Sequence, residues 1–415
     1  MIAIESPEEV GCSSKRLERI SPVMQSYVDN RKFGGISTML ARRGRVIHFE
    51  QVGWQDRESR TPLSADTIFR IYSMTKPIVC VALMTLYEEG RFQLFDPVAK
   101  FIPAFGKVRV LTAAPPQGDA RQVDLIRPIT VRDLFTHTAG FTYGFLEDSP
   151  VSELYRQARL MTAAERSLED IIGDLARLPL AYQPGTKWHY SMSIDVCAHL
   201  IEVISGKPLQ EFLDERLFKP LGMTDTAFSV APEKRHRLAT MYGHPDIGLN
   251  TLSSIMDAWQ RGISSRIDVE QTHPSTNIST FARGGYGLFS TARDYMRFAQ
   301  MLLNRGELDG VRILAPKVAD LMHMNHLPET LLPYQIGPIP FWGYGFGLGS
   351  RVLLNVAESA VPGSVGEFGW AGAAKTYYWV DPREELIGIL MSQYMLAFDL
   401  PDKDFQVLAY QALLG

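Results

Sequence analysis

Apolar residues at Leu17, Ile20, Val23, Met24 and Tyr27 recur near helical spacing and predict a surface helix over 13–30. Two runs then read as strands, 35–41 and 46–54, with the Arg-Arg-Gly stretch at 42–44 as a hairpin turn between them. A strand-like run at 67–72 leads into a segment, 73–90, that is apolar nearly all round, the mark of a helix buried inside a domain. Residues 92–128 are punctuated by Pro and Gly and read as an extended excursion. Helical patterns follow at 130–136, 151–179, 193–205 and 208–217, and a polar, irregular stretch at 262–283 reads as a boundary or long loop. After Gly284-Gly285 come a helix over 291–304, strand-like runs at 344–352, 375–381 and 385–393, and a last helix at 402–413. Strands at both ends with helices between predict an α/β (α+β) chain. One α/β domain is expected from 1–91 and 284–415, with 92–283 as a mostly helical insertion domain. There is no internal repeat and no low-complexity tract.

Length and composition narrow the function classes. A chain of 415 residues has room for two or three structural units. Its 46% apolar and 21% charged residues match an ordinary globular protein and exclude disorder, collagen and coiled coil. Lys and Arg number 42 against 46 Asp and Glu, so no basic excess exists to track a nucleic acid. The longest apolar run, Ile78 to Leu86 with Thr85 inside it, is far short of the roughly 18–20 residues that span a membrane. The first residues carry acids where a secretion signal carries Lys or Arg, and no apolar signal core follows. Three sparse cysteines, Cys12, Cys80 and Cys197, have no metal-ligand or redox spacing. The expectation is a cytoplasmic protein with no nucleic-acid or membrane partner. Nothing in the pattern specifies an oligomeric state.

Several common chemistries are absent. There is no G-x-S-x-G elbow and no phosphate loop, and the glycines at 284, 285 and 287 lack the setting of a dinucleotide site. His323 and His326 have no third ligand and read as surface histidines. Ser73-Met74-Thr75-Lys76 is different. Residues three apart share a helix face, roughly 5–6 Å apart at Cβ. A serine hydroxyl is a weak nucleophile until a base takes its proton, and a buried amine can do that. The helix N-terminus adds free N–H groups for a developing oxyanion. About one S-x-x-K arises by chance in a chain this long, the bland version being an N-cap Ser before a solvated Lys. Here the motif opens a fully apolar helix, where a Lys needs a partner. A second feature is Tyr190, within Trp188–Ser193 at a loop-to-helix junction, where a phenol held near Lys76 can act as base. The ordinary alternative is a half-buried core Tyr. The third is Gly369–Thr376, whose small residues let a substrate approach a strand closely and whose N–H can complete an oxyanion hole with that of Ser73.

S-x-x-K, a Tyr motif and a small-residue strand motif, in that order, resemble the serine β-lactamase and penicillin-binding-protein superfamily. The similarity is to its esterase branch, the family VIII carboxylesterases, and to the related fungal statin acyltransferase. It spans nearly the whole chain and includes Asp66–Arg70, Leu134–Gly140, Gly284–Ala292 and Trp370-Ala371-Gly372. The resemblance implies a β-lactamase-like fold, an antiparallel sheet flanked by helices plus a mostly helical domain. It implies Ser73 as acylated nucleophile, Lys76 as its proton partner and Tyr190 as general base. It places the oxyanion hole at the N–H groups of Ser73 and Ala373, with Trp370 and Gly372 in the strand motif. His137 resembles a structural loop position.

Departures from the β-lactamase pattern point to the substrate. Tyr190-Ser191-Met192 has Met where those enzymes carry an amide-binding Asn, leaving Ser193 as the nearest polar substitute. Trp370 replaces the Lys that meets a substrate carboxylate, and Lys375, five residues on, faces the other side by strand alternation. Both changes argue against anionic β-lactams and peptides and for neutral acyl esters. Tyr143, Phe145, Trp342, Tyr344 and Phe346 sit in Gly- and Pro-rich loops, where aromatics either line a cleft or anchor the loop; they are the expected pocket wall. The sequence thus predicts a serine carboxylesterase for small ester substrates, needing neither metal nor organic cofactor. The alternatives are an acyltransferase on the same acyl-enzyme, a β-lactamase or D-alanyl peptidase, or a non-catalytic binding protein.

Overall fold

The N-terminal strand pair forms where the two strand-like runs predict it. Strands β1 (Gly35–Arg42) and β2 (Arg45–Asp56) are antiparallel, and the two residues joining them, Arg43 and Gly44, have φ of 52° and 76°. Two left-handed residues suit a two-residue loop to the twist of the strands. This hairpin belongs to an eight-stranded antiparallel sheet with β3 (Thr61–Pro62), β4 (Tyr344–Phe346), β5 (Arg351–Leu353), β6 (Phe368–Gly372), β7 (Thr376–Asp381) and β8 (Leu386–Ser392), in the order β4-β5-β6-β7-β8-β1-β2-β3. The two ends of the chain therefore meet at the β1–β8 ladder. The computed structural model describes residues 3–112, 121–276 and 280–414. Residues 113–120 of the Pro- and Gly-punctuated excursion, and 277–279 of the polar stretch, lie outside these.

Alternation along β8 divides the core in two. Ile387, Ile389 and Met391 face one apolar cluster, and Leu386 and Leu390 face the other. The smaller cluster lies under α1 (Ile20–Asp29) and the C-terminal helix, through Met24, Phe405 and Ala409. The larger one holds α2 (Thr75–Glu88), α3 (Ser193–Ser205) and α4 (Ala292–Leu303). Helix α2 is buried from Thr75 to Leu86, as its all-round apolar pattern requires. The C-terminal helix, α5, spans Pro401–Tyr410.

Local differences from the expected elements have local causes. The helix over 13–30 breaks into Ser14–Leu17 and α1, because Pro22 has no N–H to give the carbonyl of residue 18. The stretch 151–179 is two helices, Pro150–Gln157 and Leu168–Leu175, the second started by a Ser167 cap. The run at 344–352 is not one strand but the β4–β5 hairpin, turned through Gly347–Ser350. Only Phe69–Arg70 of the run at 67–72 is strand. Helices at Leu252–Gln260 and Pro316–Met322 were not expected. Among the described residues no helix is long and apolar enough to cross a membrane.

Candidate active site

Ser73 sits at a sharp change of chain direction. Strand Phe69–Arg70 ends at Ile71, and Tyr72–Met74 makes one 3-10 turn that runs into α2. Tyr72 has φ of 44°, a left-handed conformation costing a non-glycine residue on the order of 1–3 kcal/mol unless its surroundings impose it. They do so here. The Tyr72 ring is buried edge-on to His273, centroids 4.9 Å apart. Ile71 N–H donates to Leu288 O at 3.1 Å, and Met74 O accepts the Tyr295 hydroxyl at 2.9 Å.

Lys76 lies one helical turn on and is 1% exposed. Its Nζ donates to Ser73 Oγ at 3.1 Å and to Gly285 O at 2.8 Å. Tyr190, from the loop before α3, donates its hydroxyl to Ser73 Oγ at 2.6 Å. Lys76 Nζ also lies 4.4 Å from the Tyr190 ring centre and 5.3 Å from that of Tyr143. One hydroxyl oxygen thus receives an amine and a phenol together, inside a buried aromatic cage where electrostatic interactions are strong.

Gly285 completes this corner. Its carbonyl takes the lysine, and its N–H donates to Asp195 Oδ1 at 3.0 Å. A Cβ at this position would lie 2.6 Å from Asp195 Oδ2 and 2.8 Å from the Tyr143 hydroxyl, so any other residue must displace one of these buried side chains. Burial raises the Asp195 carboxyl above its ordinary range; burial, and then Asp195, raise the Tyr143 hydroxyl. The His137 ring packs at a tilt against Tyr190, centroids 5.0 Å apart, and burial together with Lys76 holds its pKa well below the usual value. It is a neutral ring with Nδ1 3.2 Å from Ser191 Oγ.

Strand β6 reaches the nucleophile turn through Gly372. A Cβ there would lie 2.3 Å from Ile71 O, the carbonyl that also accepts Thr376 Oγ1 at 3.2 Å. This close approach brings Ala373 beside Ser73 on one cavity. Among the described residues neither backbone N–H donates a hydrogen bond within the protein. The cavity measures about 370 Å³ and is mostly apolar. Ser73, Tyr190, Trp370, Tyr143, Phe145 and Tyr344 line it, with Ile336, Phe341 and Leu396 from segments the sequence did not single out.

The expected placements of five residues need correction. Trp342 is 55% exposed and does not line the cavity, because its loop turns it to solvent. Phe346 is fully buried, edge-on to Trp370 at 5.2 Å and 5.4 Å from Trp188, so it backs the wall without reaching the cavity. Ser193 is buried and bonded to Ser191 Oγ at 2.8 Å, and offers nothing to a substrate. His323 and His326 are half-buried rather than on the surface, bonded to Ser350 Oγ and Leu321 O. Lys375, at a turn with φ of 59°, pairs with Asp402 at 2.9 Å. Sequence reasoning missed Gly285 and Asp195; the signal was a carboxylate in the otherwise apolar start of α3. Among the described residues no group of His, Cys, Asp and Glu is arranged to hold a metal.

Comparison with known proteins bears on the family and the fold. The chain is 37% identical over 375 residues to Protein Rv1367c of Mycobacterium tuberculosis, covering 89% of this chain and 88% of that one. It is 28% identical over 376 residues to Esterase EstB of Burkholderia gladioli, covering 88% and 86%. Its fold superposes on EstCE1, described as a hydrolase with promiscuous acyltransferase activity, with a TM-score of 0.76, 25% identity and 97% and 99% coverage. Esterases and acyltransferases thus stand among its relatives at low identity. The Beta-lactamase family model matches residues 20–412, and the chain belongs to that family.

Proposed function

We propose that this protein is a serine carboxylesterase that hydrolyses short to medium acyl esters through an acyl-enzyme on Ser73. The observation that carries the reading is the Ser73 oxygen held at 2.6 Å from the Tyr190 hydroxyl and 3.1 Å from Lys76 Nζ. Ser73 Oγ bonds to the ester carbonyl carbon while its proton passes to the Tyr190–Lys76 pair, whose polar atoms both reach that oxygen. The carbonyl oxygen becomes an oxyanion facing the N–H groups of Ser73 and Ala373. The ester C–O bond then breaks, and the leaving alcohol takes the proton. Water attacks the acyl group, gives its proton to the same pair and releases the acid, and Ser73 is reprotonated. Trp370, where β-lactamases place a cation, supports an ester over a β-lactam substrate. The three buried, unpaired cysteines support a cytoplasmic setting.

A second reading rests on the cavity wall. Its apolar lining disfavours bound water, so an alcohol that fits the cavity can take the acyl group instead, making the protein an acyltransferase. The test is p-nitrophenyl butyrate with and without an added alcohol, and nitrocefin, each with Ser73→Ala as control. Butyrate turnover lost in the variant, with little nitrocefin hydrolysis, supports the esterase. Ester product that rises with alcohol supports transfer. Equal turnover by Ser73→Ala contradicts both.

A further inference from the structure

One end of the cavity carries a charge the ester mechanism does not use. Arg351 on β5 is only 3% exposed yet lines the cavity, and Lys403 on α5 lines it beside Arg351. The two cations share two aromatic partners. The Arg351 guanidinium carbon lies 5.2 Å and 4.9 Å from the Tyr344 and Tyr377 ring centres, and Lys403 Nζ lies 5.7 Å and 5.6 Å from the same rings. Two like charges gathered on one aromatic pair repel each other in a low-dielectric setting.

The acidic groups nearby do not cancel them. Asp402, which also lines the cavity, pairs with Lys375 at 2.9 Å, and against its burial Lys375 and then Lys403 hold its carboxyl below the ordinary range, so it offsets Lys403 only in part. Glu367 meets Arg351 Nη2 at 3.4 Å but also accepts Gln406 and Tyr410 at 2.9 and 3.0 Å. Burial holds its carboxyl up at about 7 against the opposing pull of Arg351, so it is only partly charged near neutrality. Asp381 lies beyond it, bridged by Tyr410. Among the described residues Lys403 has no ion-pair partner. The hydrogen bonds Arg351 makes there use only Nη2, and its remaining N–H groups are not buried without a partner. A guanidinium has five N–H donors in a planar fork that suits a carboxylate.

We propose that Arg351 and Lys403 form an anion subsite in the cavity that holds Ser73, and that the substrate is an ester carrying a free carboxylate away from the scissile bond, such as a dicarboxylic acid half-ester. The register fixes which face of the sheet carries the site. Arg351 pairs with Gly369, the residue before Trp370, and Tyr377 pairs with Ala371, the residue after it. By alternation Arg351 and Tyr377 stand on the face of the sheet opposite Trp370, under α5, so the subsite meets the cavity at its α5 end. This inference rests on the Ser73 reading for the reaction, but the subsite itself is testable without turnover.

The test is calorimetric binding of monoethyl adipate and monoethyl suberate, each against its diethyl ester, to the Ser73→Ala protein. At least one half-ester is expected to bind about tenfold or more tightly than its diester, with the preference reduced several-fold in a Lys403→Gln background. Added salt is expected to weaken the half-ester only. Arg351→Gln should abolish the preference; because it leaves Glu367 without its partner, Lys403→Gln, at a half-buried position without an ion pair, carries the decision if that variant does not fold. Half-esters that bind no better than diesters, or a preference untouched by Lys403→Gln, overturn the proposal. Loss of butyrate turnover in the wild type with the binding preference intact would instead count against the esterase reading alone.

Discussion

Around Ser73 the polar atoms of the reacting groups are engaged with one another: Oγ with Lys76 and Tyr190, Nζ with Gly285 O, Gly285 N–H with Asp195. Across the cavity the opposite holds. Among the described residues the Tyr344 hydroxyl and Trp370 Nε1 have no partner there, as the Tyr143 hydroxyl and Asp195 Oδ2 behind the corner also have none, and the Arg351–Lys403 pair has more positive charge than its neighbours take up. Buried polar groups are nearly always paired in folded proteins, so a concentration of unpaired ones marks a surface that is completed by what binds there. The difference separates two jobs. The nucleophile corner is preorganised by the protein's own contacts, which suits groups that must be in position before substrate arrives. The wall is left to be satisfied by the substrate, which suits recognition.

The two regions should therefore respond differently to substitution. The largest effects belong to the corner. Lys76→Met and Tyr190→Phe should each lower kcat by about 10²–10⁴, with KM for p-nitrophenyl butyrate changed far less, in steady-state assays. An equal rise in KM and fall in kcat for both would erase the distinction between the two regions. Gly285→Ala should come next. Its methyl, 2.6 Å from Asp195 Oδ2, must displace that buried carboxylate or the segment whose carbonyl holds Lys76, and a shift of about 1 Å there can cost on the order of 10²-fold in kcat. Full activity in that variant would show that the Lys76–Gly285 contact is dispensable.

On the wall side the expected effect appears in stability against pH. Glu367 has its folded-state pKa raised from 4.5 to about 7 by burial. A raised pKa contributes stability that is fully present below the unfolded value and lost as pH rises through the folded one. The wild type should thus lose more thermal stability than Glu367→Gln between pH 5 and pH 8, by a few degrees in Tm. Parallel Tm–pH curves would mean that Glu367 is charged throughout, and Arg351 is then neutralised. The smallest effect belongs to Trp342→Ala. With the ring in solvent, stability should change by no more than about 0.5 kcal/mol and KM should stay the same.

The same division explains what could be read from the sequence. Ser73 and Lys76 were legible because their relation is local, one helical turn, in a helix whose apolar pattern announces its burial. Tyr190 and the Gly369–Thr376 strand were legible through their composition and chain order. The strands β1, β2, β7 and β8 followed from their strand-like runs, whereas β3 and the β4–β5 hairpin did not, and the helix break before α1 follows from one proline. The cavity wall was not legible in that way. Trp342 and Phe346 differ by four positions and both sit among glycines, yet one ring faces solvent and the other the core, because that depends on how the β4–β5 hairpin turns. Arg351, Tyr377 and Lys403 come from three separated segments, and only the sheet register and the docking of α5 bring them together. Asp195 and Gly285 are 90 residues apart in sequence and meet through a single hydrogen bond. Contacts of that kind carry no periodic signal.

The most direct test of the account is to identify the atom that carries the acyl group. The protein is mixed with p-nitrophenyl butyrate, quenched in acid within the first turnovers, digested and weighed by mass spectrometry, with Ser73→Ala treated alongside. The account predicts one butyryl group on the peptide that carries Ser73, localised to that residue by fragmentation, and none on the variant. A butyryl group on any other residue in the wild type during turnover, or the same labelling and turnover in Ser73→Ala, would contradict it.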